Sequence, residues 1–367
     1  MTPIQRYLPA TCAFLLLTSF ASRGVAAIKL VDDRQITVHS HTDVEAERAR
    51  LINYIWGNGG YPHDLMPVVR KGVASPVDGL EELKRVDEFT LPMLPGLEGL
   101  ANHYMPQHPN GELVILHHGH AETFNDGPAR QKKGYGMQQT IKALLLNGYG
   151  VLTVYMPHRR PGDAYNGGQT HTKMFEENVG GGPMKFFFNT LVAGLNFIKS
   201  RGGSDDSAAY HDFHMIGLSG GGWTTTVYAA IDPTIHCSFP VAGSIPLHLR
   251  SGASVGDREQ WEESFYRIAG YPDLYVMGST GPGRRQIQIL NRHDDCCFGE
   301  KQHDAAAAGK GYDEALQGYA GRVQSAVREI GPGSFRLVID EISPSHMISS
   351  HSIESVILPE LRKARKQ

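Results

Sequence analysis

The segment Phe213-His214-Met215-Ile216-Gly217-Leu218-Ser219-Gly220-Gly221-Gly222-Trp223 constrains this chain more than any other. An apolar run of strand character passes directly into G-x-S-x-G, and a stretch of helical character follows. That order describes a sharp strand–turn–helix in which a serine is lifted above the end of a sheet. The glycines have a physical reason. The serine occupies a strained backbone conformation, and a side chain two positions before or after it would strike the turn or the neighbouring strand and helix. A glycine-rich turn of this kind can also bind an anion or simply pack, so the surrounding pattern has to decide.

That pattern is regular. Strands are expected at 112–117, 150–156, 211–218, 237–242, 286–290 and 335–342, and helices at 138–146, 183–200, 221–230 and 312–330. A last helical stretch, 348–365, should be kinked or divided at Pro359. Upstream lie a helix at 43–56, a proline-bearing loop at 61–76 and two shorter strands at 86–91 and 100–104. Strands alternating with helices imply an α/β fold with a mostly parallel central sheet and helices on both faces. Two long stretches, 157–182 and 244–283, interrupt the alternation as insertions of loop and short helix. Both follow the carboxyl ends of strands, where open α/β sheets bind ligands, and both are expected to roof the site. The domain reading is a helical and loop extension at 28–85 packing on a main domain at 86–367.

From residue 112 onward the chain resembles the α/β-hydrolase fold, and more loosely from residue 86. In that superfamily a nucleophile, an acid and a histidine follow successive strands in this chain order. The resemblance implies Ser219 as nucleophile and His346, in Ser345-His346-Met347, as general base, with His351 as its competitor. The acid would come from Asn291-Arg292-His293-Asp294-Asp295, with Asp294 preferred over Asp295, and with Asp340 a weaker choice inside the last strand. The oxyanion donors would be the Gly220 amide and, from His118-Gly119-His120, the His120 amide. Arg159, Arg160 and Trp223 are candidate substrate-binding residues; the arginines could instead cap surface loops and the tryptophan could be core. The implied function is a carboxylic-ester hydrolase acting through an acyl-enzyme on a small-molecule or polymer-borne ester. A peptidase or amidase of the same fold and a non-catalytic ligand-binding homologue are the other readings.

The remaining sequence features bound this function. Arg6, the apolar run 13–20 and the small residues Val25-Ala26-Ala27 read as a signal peptide at 1–27, hence secreted or periplasmic, with no membrane span after its removal. A formal net charge of -3 argues against nucleic acid as a partner. Neither C-x-x-C nor H-E-x-x-H spacing occurs, so no metal and no cofactor are expected. Beyond Cys12 in the leader there are Cys237, Cys296 and Cys297. Cys237 should lie at the opposite end of the sheet from the adjacent pair, out of disulfide reach. Any disulfide would join Cys296 to Cys297, and two packed thiols are the alternative.

Overall fold

The computed structural model describes residues 30–126, 135–163, 168–200, 209–250, 255–302 and 311–365. The expected leader 1–27, with Cys12, lies outside the described residues, as do residues 164–167 and 251–254 of the two long connections.

The strands are β1 (Val68–Arg70), β2 (Leu83–Leu94), β3 (Leu97–Pro106), β4 (Glu112–His117), β5 (Gly150–Val154), β6 (Asp212–Leu218), β7 (Ile235–Val241), β8 (Arg285–Asn291) and β9 (Ser334–Asp340). Among the described residues they form one sheet in the order β1-β2-β3-β5-β4-β6-β7-β8-β9. The pairs from β1 to β5 are antiparallel, and those from β5 through β9 are parallel.

The helices are α1 (His41–Trp56), α2 (Met137–Leu146), α3 (Gly168–Glu176), α4 (Asn189–Ser200), α5 (Gly220–Ile231), α6 (Glu263–Tyr266), α7 (Tyr271–Ser279), α8 (Tyr312–Ile330) and α9 (Leu358–Ala364). They cover both faces of the sheet. In β4, Leu113 and Ile115 join a core with residues of α1, α4, α5, α7 and α8. Val114 and Leu116 join the opposite core with residues of α2 and α9. The two-residue side-chain period of a strand, apolar at every position, thus fills two hydrophobic layers at once.

Two local expectations are corrected. The stretch 61–76 contains β1, whose residues pair with Glu88 to Thr90 of β2. The helix expected over 183–200 divides at Phe188 into a 3-10 turn, Pro183–Phe187, and α4. Three consecutive bulky rings explain the division, since one helix face cannot bury them all. Phe187 and Phe188 pack on Trp223, whereas Phe186 lies in a separate cluster with Leu97 and Met174. The long connections carry the short helices α3, α6 and α7, in keeping with the expectation. The last helical stretch divides beside Pro359, as expected: a π-helical segment, Ser352–Ile357, gives way to α9 at Leu358, which leaves the proline in the first turn of α9.

The N-terminal residues are fastened to the second long connection by two buried carboxylates. Asp33 accepts hydrogen bonds from the amides of Leu247 (2.8 Å) and His248 (3.0 Å). Asp273, on α7, accepts from the Thr37 amide (2.7 Å), the Thr37 hydroxyl (2.9 Å) and the Val38 amide (3.2 Å). α1 then lays Val44, Leu51 and Ile55 into the core, and the Arg48 Nε donates to the Ala230 carbonyl at 3.0 Å. Asp273→Ala would strand these buried donors and is expected to destabilise the chain by about 2–3 kcal/mol. Urea denaturation measures it, with the midpoint falling and the slope unchanged.

Candidate active site

The site begins at the junction of β6 and α5. Ser219 there has φ 60° and ψ -126°, a backbone conformation that L residues rarely adopt. Hydrogen bonds hold it: its amide donates to the Val241 carbonyl (2.9 Å) and its carbonyl accepts from the Trp223 amide (2.9 Å). The flanking glycines are required by close approach. A Cβ on Gly217 would lie 2.0 Å from the Gly221 carbonyl oxygen, and one on Gly221 would lie 2.1 Å from the His117 carbonyl oxygen. The result is a serine raised over the carboxyl end of the sheet, with the first free amides of α5 beside it. These carry the positive end of the helix dipole.

The loop after β4 closes on this turn. A Cβ on Gly119 would lie 2.7 Å from the Ser219 Cβ and 3.0 Å from the Gly220 nitrogen. The His120 ring lies next to Gly220. His117 and His118 themselves are buried in the fold. Burial pushes them down to about 4 and about 3, so both are neutral at pH 7. The His118 ring packs edge-on against Phe124.

His346 and Asp294 come together from different loops. The His346 Nδ1 and the Asp294 Oδ2 are 2.7 Å apart, with Asp294 1% exposed. The other Asp294 oxygen accepts from the amides of Cys296 and Cys297, both at 2.8 Å. This fixes the carboxylate's rotation and leaves one oxygen for the imidazole. Asp295 is exposed, and His351 is exposed at the start of the final helix. Cys296 and Cys297 are joined in a disulfide on this loop, while Cys237 is free and buried, its thiol pushed up to about 12 by burial.

Two residues that sequence reasoning did not single out for this task hold the histidine loop. The Asn291 side-chain amide donates to the carbonyls of Ser345 (3.0 Å) and Met347 (2.8 Å), one on each side of His346. Asp340 accepts from the amides of Ile342 and Ser343 (2.9 Å each) and from the hydroxyls of Ser349 and Ser352. It therefore pins both ends of the loop and does not touch the imidazole. A run of serines around a histidine is the only local signal for this arrangement.

Ser219 and His346 line a common cavity of about 390 Å³ with His120, Tyr135, Gln260 and the Cys296–Cys297 pair. The second long connection contributes Gly256, Asp257 and Gln260 to its wall. No described residue of 157–182 lines it. β4 lies between β5 and β6, so the loop after β5 arrives one strand further from Ser219 than its neighbour does. It supports the wall from behind, through His171 against His120 and Glu259.

The three candidate substrate-binding residues are elsewhere. Arg160 is ion-paired with Asp163 (2.8 Å) and with Glu98. Arg159 is buried with its guanidinium 3.4 Å from Glu122. Trp223 is fully buried and donates to the Tyr266 hydroxyl at 2.6 Å. Carboxylate partners and core packing, respectively, take these side chains out of the cavity.

This sheet order and turn define the α/β-hydrolase fold. No protein-family model matches the chain, and no curated protein sequence does. Solved structures do match. The chain is similar to the methylesterase BT1017 (15% identity, TM-score 0.53), covering 86% of this chain and 61% of that one. It thus spans under two thirds of that protein's length. It is also similar to acetyl xylan esterase 1 from Thermoanaerobacterium sp. (11%, TM-score 0.51, 87% and 93% covered). The acetyl xylan esterase from Paenibacillus sp. R4 is a third (14%, TM-score 0.50, 89% and 96% covered). At these identities the likeness is one of fold.

The Asp340 carboxyl gives a pH test. Burial would raise its pKa, but the two hydroxyl and two amide donors outweigh burial and lower it. A group depressed in the folded state stabilises above its unfolded pKa, and the stabilisation is lost as pH falls through the folded value. Asp340→Asn is therefore expected to cost about 2–4 kcal/mol at pH 7. Thermal unfolding should show the gap to the parent protein closing below about pH 4.

Proposed function

We propose that this chain is a serine hydrolase that cleaves a carboxylic ester by acyl transfer. The observation that carries the reading is the 2.7 Å Asp294–His346 pair facing the same cavity as Ser219. Asp294, held by two amides, fixes the imidazole tautomer with Nδ1 protonated and stabilises the imidazolium. Nε2 is then the basic nitrogen. It takes the Ser219 proton as Oγ attacks the ester carbonyl, and returns it to the leaving alcohol. Negative charge develops on the carbonyl oxygen, and the amides of Gly220 and His120 are the donors for it. Water, activated by the same nitrogen, releases the acid. The positive end of α5 adds to this stabilisation without any reorganisation.

The fold neighbours named as acetyl xylan esterases and a methylesterase support the ester bond as the target. The cavity of about 390 Å³ that Ser219 lines has room for a short acyl or alkyl group. The ester can be free or borne on a polymer. The leader-like residues 1–27 support export, and no described helix is long and apolar enough to cross a membrane. A boundary at residue 85 would cut β2 (Leu83–Leu94), and β1 pairs with β2 in the same sheet, so the hydrolase domain takes in the chain from β1 onward and the extension shortens to the residues before it.

Hydrolysis of p-nitrophenyl esters of graded chain length tests the reading. Ser219→Ala and His346→Ala are expected to lower kcat by about three to six orders of magnitude with circular dichroism unchanged. Asp294→Asn should cost about two to four orders, whereas Asp295→Asn should stay within about threefold. Acetyl esters should be preferred over octanoyl esters. Ser219→Ala retaining a tenth of the parent rate would remove the serine from this role.

A further inference from the structure

In the cavity wall and directly behind it, four side chains from three distant segments converge on one point. His120 comes from the loop after β4, His171 from α3, and Asp257 and Glu259 from the second long connection. One ligand-capable atom from each lies within 4.8 Å of every other. The His120 Nε2 is 2.9 Å from the Asp257 Oδ2 and 3.7 Å from the Glu259 Oε1. The His171 Nδ1 is 3.2 Å from the Glu259 carboxylate and 3.5 Å from the His120 Nε2.

These separations have a chemical meaning. Ligands on a tetrahedron with bonds of about 2.0–2.1 Å sit about 3.3 Å apart along its edges, and the distances here bracket that value. The charge balance agrees. Two neutral imidazoles and two carboxylates around a dication have no net charge. His171 and Glu259 are fully buried, so water is a poor substitute. The outer nitrogen of His171 faces the Pro157 carbonyl at 3.3 Å, the kind of second contact that orients a metal-bound imidazole. Phe187 packs edge-on against the same ring at 5.0 Å.

We infer that His120, His171, Asp257 and Glu259 form a four-coordinate site for a divalent transition-metal ion, zinc in the first instance. Four protein ligands close the coordination sphere, which makes the ion structural and not a carrier of water or substrate. It ties the loop of His120, and both long connections, into one unit beside Ser219. The site stands independently of the serine-hydrolase reading, because it needs no step of that chemistry. It departs from the expectation of no metal, which rested on local spacing. Here His120 and His171 are 51 residues apart and His171 and Glu259 are 88 apart, so no short motif exists to be read.

The test is zinc binding by the chelator-treated, full-length protein. Zinc chloride alone is titrated by calorimetry, with metal content after dialysis read by mass spectrometry. One zinc per chain with a Kd below about a micromolar is expected, with a rise in Tm of at least about 3 °C at saturating zinc. His171→Ala and Glu259→Gln should each weaken binding at least 100-fold and abolish the Tm rise. Cobalt(II) in the parent protein should give the intense visible bands of a tetrahedral nitrogen–oxygen site, which keeps the test decisive if a variant fails to fold. No binding at 10-fold excess zinc, parent-level affinity in both variants, or the weak spectrum of octahedral cobalt would each overturn the site.

Discussion

The arrangement rests on one strained residue. Ser219 can hold φ 60° and ψ -126° only because β6 and α5 are locked into the sheet on either side of it. A conformation of this kind costs about 1–3 kcal/mol, and the surrounding fold must over-determine it. The geometry of the turn is visible in what the glycines exclude. Gly217, Gly221 and Gly119 each bring backbone to within the space a methyl group would need. Through them the turn, the strand β4 and the loop of His120 form one interlocked body. That body puts the helix amides, the serine and the neighbouring loop in register before any substrate arrives, which is the preorganisation that electrostatic catalysis requires.

A second layer of fixed dipoles holds the groups opposite the serine. Asp294 is oriented by two amides, His346 is oriented by Asp294, and its loop is clamped by Asn291 and Asp340. Asp294, Asn291 and Asp340 are all buried, and the contacts that fix the two loops run to backbone and hydroxyl groups. The cost of leaving such groups unpaired makes the loop conformation specific. The imidazole thereby acquires a defined tautomer from a chain of contacts that starts in β8 and β9. The four-ligand cluster proposed in and behind the wall would serve the other side of the cavity in the same way, with a metal ion taking the part that hydrogen bonds play around His346.

Much of this was legible in the sequence because it depends on local chemistry. The strands β4 and β6 and the helix α8 follow from apolar periodicity and punctuating glycines. Ser219, Asp294 and His346 follow from their order relative to strand ends, and the structure brings Asp294 to His346 while leaving Asp295 exposed. What escaped the sequence depends on long-range placement. Strand β1 is three residues long and carries no alternation of its own; only pairing with β2 defines it. Arg159 and Arg160 sit on the expected loop, but Glu122, Glu98 and Asp163 claim them, and those partners come from distant or later positions. Trp223 follows the turn closely, yet the helical period turns it into the core against Phe187 and Phe188. The convergence of His120, His171, Asp257 and Glu259 is of the same kind, created by the sheet order and absent from any window of sequence.

The central claim is that Ser219 is made nucleophilic by His346 within this preorganised turn. Labelling with a fluorophosphonate, followed by peptide mapping, tests it most directly because it reads the reactive atom itself. One phosphonyl group per chain is expected, on the peptide containing Ser219, with the labelling rate falling by at least about 1,000-fold in His346→Ala. A stoichiometric adduct on another residue, or labelling of Ser219 at an unchanged rate without His346, would contradict the account.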